Sequence, residues 1–203
     1  RCLYCANPDT IDAEGESKPT SEYDILKQVT DMKPFFGKRG GVTFSGGEPL
    51  LQKDIADFIR KIKDMGFAVK LDTNGSFPDK LIHLVKEGLV DYVAMDIKNC
   101  PDRYADSVGR QVDMTSVKRS VSLLLEGRVD YEFRTTVVAE LHDEESFHGI
   151  GRWIGGARRY FLQCYTHRDT VLEPGLTPPT EQELCKYAEI VKKYIPDVGV
   201  RGV

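Results

Sequence analysis

Gly41-Val42-Thr43-Phe44-Ser45-Gly46-Gly47-Glu48-Pro49 opens as a short run of β-forming residues and stops at paired glycines. Soon after it, residues 54–65 place Ile55, Phe58, Ile59, Ile62 and Met65 on one helical face, with Gly66 where a helix C-terminal glycine belongs. Strand, polar glycine turn and amphipathic helix make one β–α unit. The unit then recurs: a strand at 68–72, a helix at 78–87 opened by Pro78 and closed by Gly88, and a strand at 91–96. Next come a helix at 115–126 with Thr115 as N-cap and Gly127 after it, a strand at 129–138, a helix at about 145–154 and a strand at 159–164. A proline-rich connection (Pro174, Pro178, Pro179) leads to a helix whose Thr180 and Glu183 form a capping box and whose Leu184, Ala188, Val191 and Ile195 share a face. A short strand at 198–201 closes the chain, and the first helix spans about 21–32.

Strands alternating with helices of this length indicate an α/β fold with a parallel sheet and right-handed crossovers. With one more strand ahead of residue 1, the count suits an open, partial (β/α)6 barrel whose N-terminal strand is missing. The 203 residues are expected to form a single domain with a substantial core. Net charge is -4 without a basic block, which argues against an extended nucleic-acid surface, and no apolar run is long enough to cross a membrane. Five cysteines at scattered spacing, an odd number, do not read as a disulfide framework, so a reducing, cytoplasmic setting is expected.

In α/β barrels, chemical residues gather just after the strands. Ser45-Gly46-Gly47-Glu48-Pro49, Asp72-Thr73-Asn74-Gly75 and Asp96-Ile97-Lys98 each follow a strand, Arg134 lies within the fourth, and Gln163 and Cys164 end the fifth. Any one of the glycine-containing segments alone reads as a plain turn; three in succession at strand ends point to one shared mouth. At the start stands Arg1-Cys2-Leu3-Tyr4-Cys5-Ala6-Asn7-Pro8. Its Cys-x-x-Cys alone fits half a zinc site or a redox pair, yet no second Cys/His pair exists to complete a zinc site.

These segments together resemble the radical S-adenosylmethionine (radical SAM) family. Cys2-Leu3-Tyr4-Cys5 is similar to the end of its Cys-x3-Cys-x-aromatic-Cys signature, and Gly46-Gly47-Glu48-Pro49 to its Gly-Gly-Glu-Pro segment. Asp72-Thr73-Asn74-Gly75 and Met95-Asp96-Ile97-Lys98 resemble the subset that activates glycyl radical enzymes. Within it, Phe161-Leu162-Gln163, Leu172-Glu173-Pro174 and Pro178-Pro179-Thr180 are similar to activators of anaerobic ribonucleotide reductase, and the Gly40–Thr43 and Asp72–Gly75 segments to those of pyruvate formate-lyase.

The resemblance implies a [4Fe-4S] cluster bound by Cys2, Cys5 and a cysteine three residues ahead of Arg1, so that the chain begins inside the cluster motif. It implies reductive cleavage of S-adenosyl-L-methionine to a 5′-deoxyadenosyl radical, which takes hydrogen from a glycine of a partner glycyl radical enzyme. Flavodoxin or ferredoxin would donate the electron. Gly46, Gly47 and Glu48 would meet the methionine amino end, and Lys98 and Arg134 its carboxylate. Asp72, Thr73 and Asp96, beside Asn74, would form a monovalent-cation site, and Val138 would lie against adenine. Read from the residues alone, Asp96 and Lys98 also fit a structural ion pair and Asp72 a turn cap. Cys100, Cys164 and Cys185 fit core filler, and His142, His148 and His167 fit surface or satisfied histidines. Two other functions stay open: a radical SAM enzyme acting on a small molecule, such as one building 7-carboxy-7-deazaguanine, and a cluster-free, non-enzymatic α/β binding module.

Overall fold

The computed structural model describes residues 2–5, 20–37, 40–168, 171 and 173–202. Arg1, Ala6, Asn7, Pro8 and Leu172 lie outside the described residues. The strands are β1 (Gly41–Phe44), β2 (Ala68–Thr73), β3 (Tyr92–Asp96), β4 (Asp130–Val137), β5 (Tyr160–Cys164) and β6 (Val198–Arg201). The helices are α1 (Glu22–Phe36), α2 (Ile55–Asp64), α3 (Pro78–Lys86), α4 (Tyr104–Val108), α5 (Met114–Leu125), α6 (Glu144–Trp153) and α7 (Glu181–Val191). The six strands form one all-parallel sheet in the order β1-β2-β3-β4-β5-β6.

That order decides where a site can lie. Each strand is added beside the last in the same direction, so one hand of crossover puts every helix on one face of the sheet. Strand residues alternate accordingly. Val69, Leu71, Val93, Met95, Tyr131, Phe133, Tyr160 and Leu162 are buried in one core with Ile59 and Ile62 of α2, Leu81 of α3, Leu124 of α5, Phe147 of α6 and Leu184 of α7. Lys70, Asp72, Tyr92, Asp96, Glu132 and Arg134 occupy the alternate positions. The helix-free face is therefore charged, as the inside of a partial β/α barrel with a polar site must be.

Most element ends agree with the sequence reading, and the exceptions have local causes. α1 runs past 32 and through Pro34 to its cap at Gly37, because a proline in the last turn deletes one N–H without stopping the chain. The N-cap of α5 is Asp113 rather than Thr115: its carboxylate accepts from Thr115 N–H at 3.0 Å and from the Ser116 hydroxyl at 2.6 Å. An anionic acceptor suits the positive end of a helix better than a hydroxyl. α4 and the 3-10 turns Pro49–Leu51 and Pro101–Arg103 are too short to show a hydrophobic period.

Candidate active site

Parallel register brings the charged face together at the C-terminal sheet end. Asp96 pairs in register with Arg134, and Thr136 with Gln163. Arg134 Nε donates to Asp96 Oδ1 at 2.5 Å, and its Nη1 donates to Asp72 Oδ2 at 3.1 Å. Lys98 Nζ donates to Asp96 Oδ2 at 2.8 Å, while Lys70 Nζ lies 2.8 Å from Asp72 Oδ1. The result is a row of alternating charge, Lys70–Asp72–Arg134–Asp96–Lys98, with three cations to two carboxylates. Burial would raise the Asp96 carboxyl, but Lys98 and Arg134 hold it below its usual range. Burial would likewise lower Lys98 and Arg134, and Asp96 reverses both. All three stay charged at neutral pH.

Beside this row opens a cavity of about 300 Å³ lined by Cys2, Tyr4, Cys5, Gly47, Asp96, Lys98, Arg134, Thr136, Gln163, Cys164, Tyr165, Thr166 and Arg168. The expected residues Cys2, Cys5, Gly47, Asp96, Lys98 and Arg134 thus meet in one place. Cys5 N–H donates to Cys2 O at 3.1 Å, a turn that presents both half-buried thiols to the same space. A larger groove of about 720 Å³ runs along β1 between α1 and α2; Gly46, Gly47 and Glu48 line it with apolar Val42, Phe44, Pro49 and Phe58. Its charged lining residues, Glu22, Glu48 and Asp54, are all acidic, whereas cations, a carboxylate, Cys2 and Cys5 meet in the smaller cavity, which is the candidate site.

The remaining expected residues surround the cavity rather than line it. Glu48 is buried, and its carboxylate accepts from Leu50 N–H at 3.0 Å, Asn74 N–H at 2.7 Å and Thr73 Oγ1 at 3.0 Å. Burial raises its pKa despite those donors. It stitches the β1 loop to the β2 loop, and Gly46 and Gly47 just before it both have left-handed φ, at 90° and 54°. Asn74 turns its side chain onto Ser76 N–H at 2.9 Å. Val138 is buried with Tyr4, Tyr165 and Leu176. Among the described residues no group of three or more His, Cys, Asp or Glu is placed to hold a metal ion. At the expected monovalent-cation site, the Arg134 guanidinium spans Asp72 and Asp96, so a side chain neutralises both carboxylates. Sequence reasoning missed Lys70, Thr136, Tyr165, Thr166 and Arg168. Lys70 and Thr136 each stand two positions from a residue it did single out, on the same strand face, so period-two counting finds them; nothing in the sequence marks the loop residues.

The donor set fits the groups the sequence implied. Two thiols in a turn suit two ligands of an iron–sulfur cluster. Basic Lys98 and Arg134 suit a carboxylate, and glycine backbone suits close approach. Among the described residues the buried hydroxyls of Tyr4 and Tyr104 have no hydrogen-bond partner, and burial raises both phenols, so each remains a donor beside the Lys98 region.

Fold and site define a singly wound α/β enzyme core with a cysteine turn at the C-terminal end of its sheet. Residues 1–148 match the model of the radical SAM superfamily, and the chain belongs to that superfamily. It is 41% identical over 212 aligned residues to the pyruvate formate-lyase 1-activating enzyme of Escherichia coli, covering 96% of this chain and 85% of that protein. It is 36% identical over 169 residues to a Methanocaldococcus jannaschii protein named as a glycyl-radical enzyme activating enzyme, covering 80% of this chain and 70% of that one. A domain of pyruvate-formate lyase-activating enzyme from Bacteroides vulgatus superposes with a TM-score of 0.64 at 16% identity, covering 80% of this chain and 99% of that one. Streptococcus suis SuiB superposes with a TM-score of 0.72 at 14% identity, covering the whole of this chain and 46% of that one. These two likenesses support the fold. A non-enzymatic binding module is set aside: the chain is an enzyme of the radical SAM superfamily, and no helix among the described residues is long and apolar enough to cross a membrane.

Proposed function

We propose that this chain is the radical SAM core, residues 1–203, of a glycyl-radical-enzyme activating enzyme. Cys2 and Cys5 would hold two irons of a [4Fe-4S] cluster, with the third ligand upstream. When bound, the cluster supplies one electron to the sulfonium of S-adenosyl-L-methionine, giving methionine and a 5′-deoxyadenosyl radical.

The chain's own residues bind and orient. Lys98 spends one N–H on Asp96 and directs its other donors at the cavity, where the methionine carboxylate would lie. Arg134 offers that carboxylate a guanidinium already fixed by Asp72 and Asp96. The Gly46-Gly47 backbone takes the amino end, and Glu48, Thr73 and Asn74 hold that backbone in place. Thr136, Gln163 and Arg168 face the remaining polar groups. The radical's target is a backbone glycine of a partner of the pyruvate formate-lyase or anaerobic ribonucleotide reductase type. Flavodoxin or ferredoxin supplies the electron, in a reducing cytoplasm.

The observation that carries this reading is the convergence of Cys2, Cys5, Gly47, Lys98 and Arg134 on one cavity. Its volume, about 300 Å³, lies at the low end of the roughly 300–1,000 Å³ typical of ligand pockets. The names of the Escherichia coli and Methanocaldococcus jannaschii relatives favour a protein target. The test is electron paramagnetic resonance on the full-length, anaerobically reconstituted protein mixed with a glycyl radical enzyme of either type, S-adenosylmethionine and a reductant. A glycyl doublet matched by 5′-deoxyadenosine is expected. Abundant 5′-deoxyadenosine with no doublet on either partner would move the substrate to a small molecule.

A further inference from the structure

The segments bearing the cavity's basic side chains end in backbone that the sheet does not satisfy. Ile97 N–H still donates to Arg134 O at 2.8 Å. One residue on, the Lys98 carbonyl has left the sheet, and His142 Nε2 meets it at 2.9 Å. On the other side of the same ring, Nδ1 lies 3.1 Å from the amide nitrogen of Val138, the residue after β4. The Val138 carbonyl already accepts from His142 N–H at 3.1 Å and Leu141 N–H at 3.2 Å. One neutral tautomer serves both contacts: Nε2–H donates to Lys98 O, and the bare Nδ1 accepts from Val138 N–H. The opposite tautomer would let Nδ1–H donate to the Val138 carbonyl, 3.2 Å away and already bonded twice, but it sets two lone pairs against each other at Lys98 and orphans the Val138 amide. His142 is 3% exposed, and its ring lies against Phe147, which stacks on Tyr187.

We propose that His142 is a positioning residue that ties the Lys98 carbonyl to the Val138 amide, locking the β3 loop to the end of β4. The tie holds the Lys98 ammonium at the height where Arg134 and Thr136 face the cavity. Asp96 holds the far end of the Lys98 side chain at 2.8 Å, and the tie fixes the backbone from which that side chain reaches. His142 itself does not line the cavity and touches no ligand. The inference rests on the reading of Lys98 as a carboxylate-binding residue.

The test compares His142→Ala, His142→Gln, Phe147→Leu and Lys98→Ala in the full-length protein. Equilibrium binding of S-adenosylmethionine to the reconstituted enzyme is read alongside hydrogen–deuterium exchange and melting of the cluster-free protein. His142→Ala leaves a buried carbonyl and amide unpaired, so affinity falls about tenfold, and exchange at the Val138 amide quickens while the α2 and α3 amides do not change. His142→Gln, whose amide can still donate to Lys98 O, recovers most of the affinity. Phe147→Leu lowers the melting temperature without lowering affinity. Lys98→Ala weakening affinity while His142→Ala leaves it intact would overturn the tie. So would Phe147→Leu reproducing the affinity loss at equal loss of melting temperature, which makes His142 plain core. Lys98→Ala leaving affinity unchanged refutes the carboxylate reading and this inference with it.

Discussion

Arg134→Met removes the centre of the charged row while keeping the apolar stem of the side chain. The guanidinium makes two charge-assisted bonds, at 2.5 Å to Asp96 and 3.1 Å to Asp72. A bond to a charged group contributes about 1.5–3 kcal/mol. Asp96 retains 26% side-chain exposure, so water recovers part of that loss and the low end applies, about 3 kcal/mol for the two. The carboxylates keep Lys98 and Lys70, so neither is left bare. For a domain of this size, 1 kcal/mol moves the melting temperature by about 2–4 °C. Arg134→Met is therefore expected to melt about 6–12 °C lower, read by circular dichroism on the cluster-free protein. Arg134→Lys keeps the charge but reaches one carboxylate at a time, and should lose roughly half as much. A methionine variant melting within about one degree of the wild type would show that the row is ligand apparatus without structural weight, and the reasoning above would fail.

Glu48→Gln replaces a carboxylate that accepts from two backbone N–H groups and a hydroxyl with an amide bearing one acceptor; we expect a loss of about 2 kcal/mol in urea unfolding and weaker S-adenosylmethionine binding. Gly75→Ala meets both a left-handed φ of 76° and the Met95 Cε at 2.1 Å from the new Cβ, so a loss of at least about 1–2 kcal/mol is expected in the same assay. Burial lowers the His142 pKa, against the opposing backbone bonds to Lys98 and Val138 and the Asp143 charge; the Arg103 charge adds to the depression, and the Tyr187 hydroxyl bonds the His142 carbonyl. The unfolded chain then takes up the proton first, near pH of about 6.5, so stability is full above that pH and falls as pH drops below it. A melting profile from about pH 7.5 to 5.5 should slope downward in the wild type and flatten in His142→Gln; equal slopes would remove His142 as the cause.

The regular part of the fold was legible because each β–α unit carries its own local signals: Gly66, Gly88 and Gly127 all take positive φ after helices, and Thr180 makes the capping box its spacing implies. What escaped the sequence reading is set by three-dimensional neighbours. That Glu48 would be consumed by Thr73 and Asn74, more than twenty positions away, depends on β1 lying beside β2. That Arg134 would stand between Asp72 and Asp96 depends on register, because a cation site and a guanidinium bridge read alike in one dimension. His142 was readable as a satisfied histidine, but its two backbone partners belong to different segments, and nothing in its own neighbourhood names Lys98.

The most direct test of the central claim is anaerobic turnover of the full-length, reconstituted protein with dithionite and S-adenosylmethionine, assaying 5′-deoxyadenosine in wild type and Cys5→Ala. Product in the wild type that disappears in Cys5→Ala is the expected result. Product that persists at the wild-type level in Cys5→Ala, or a wild type that retains iron and sulfide yet forms none, contradicts the account.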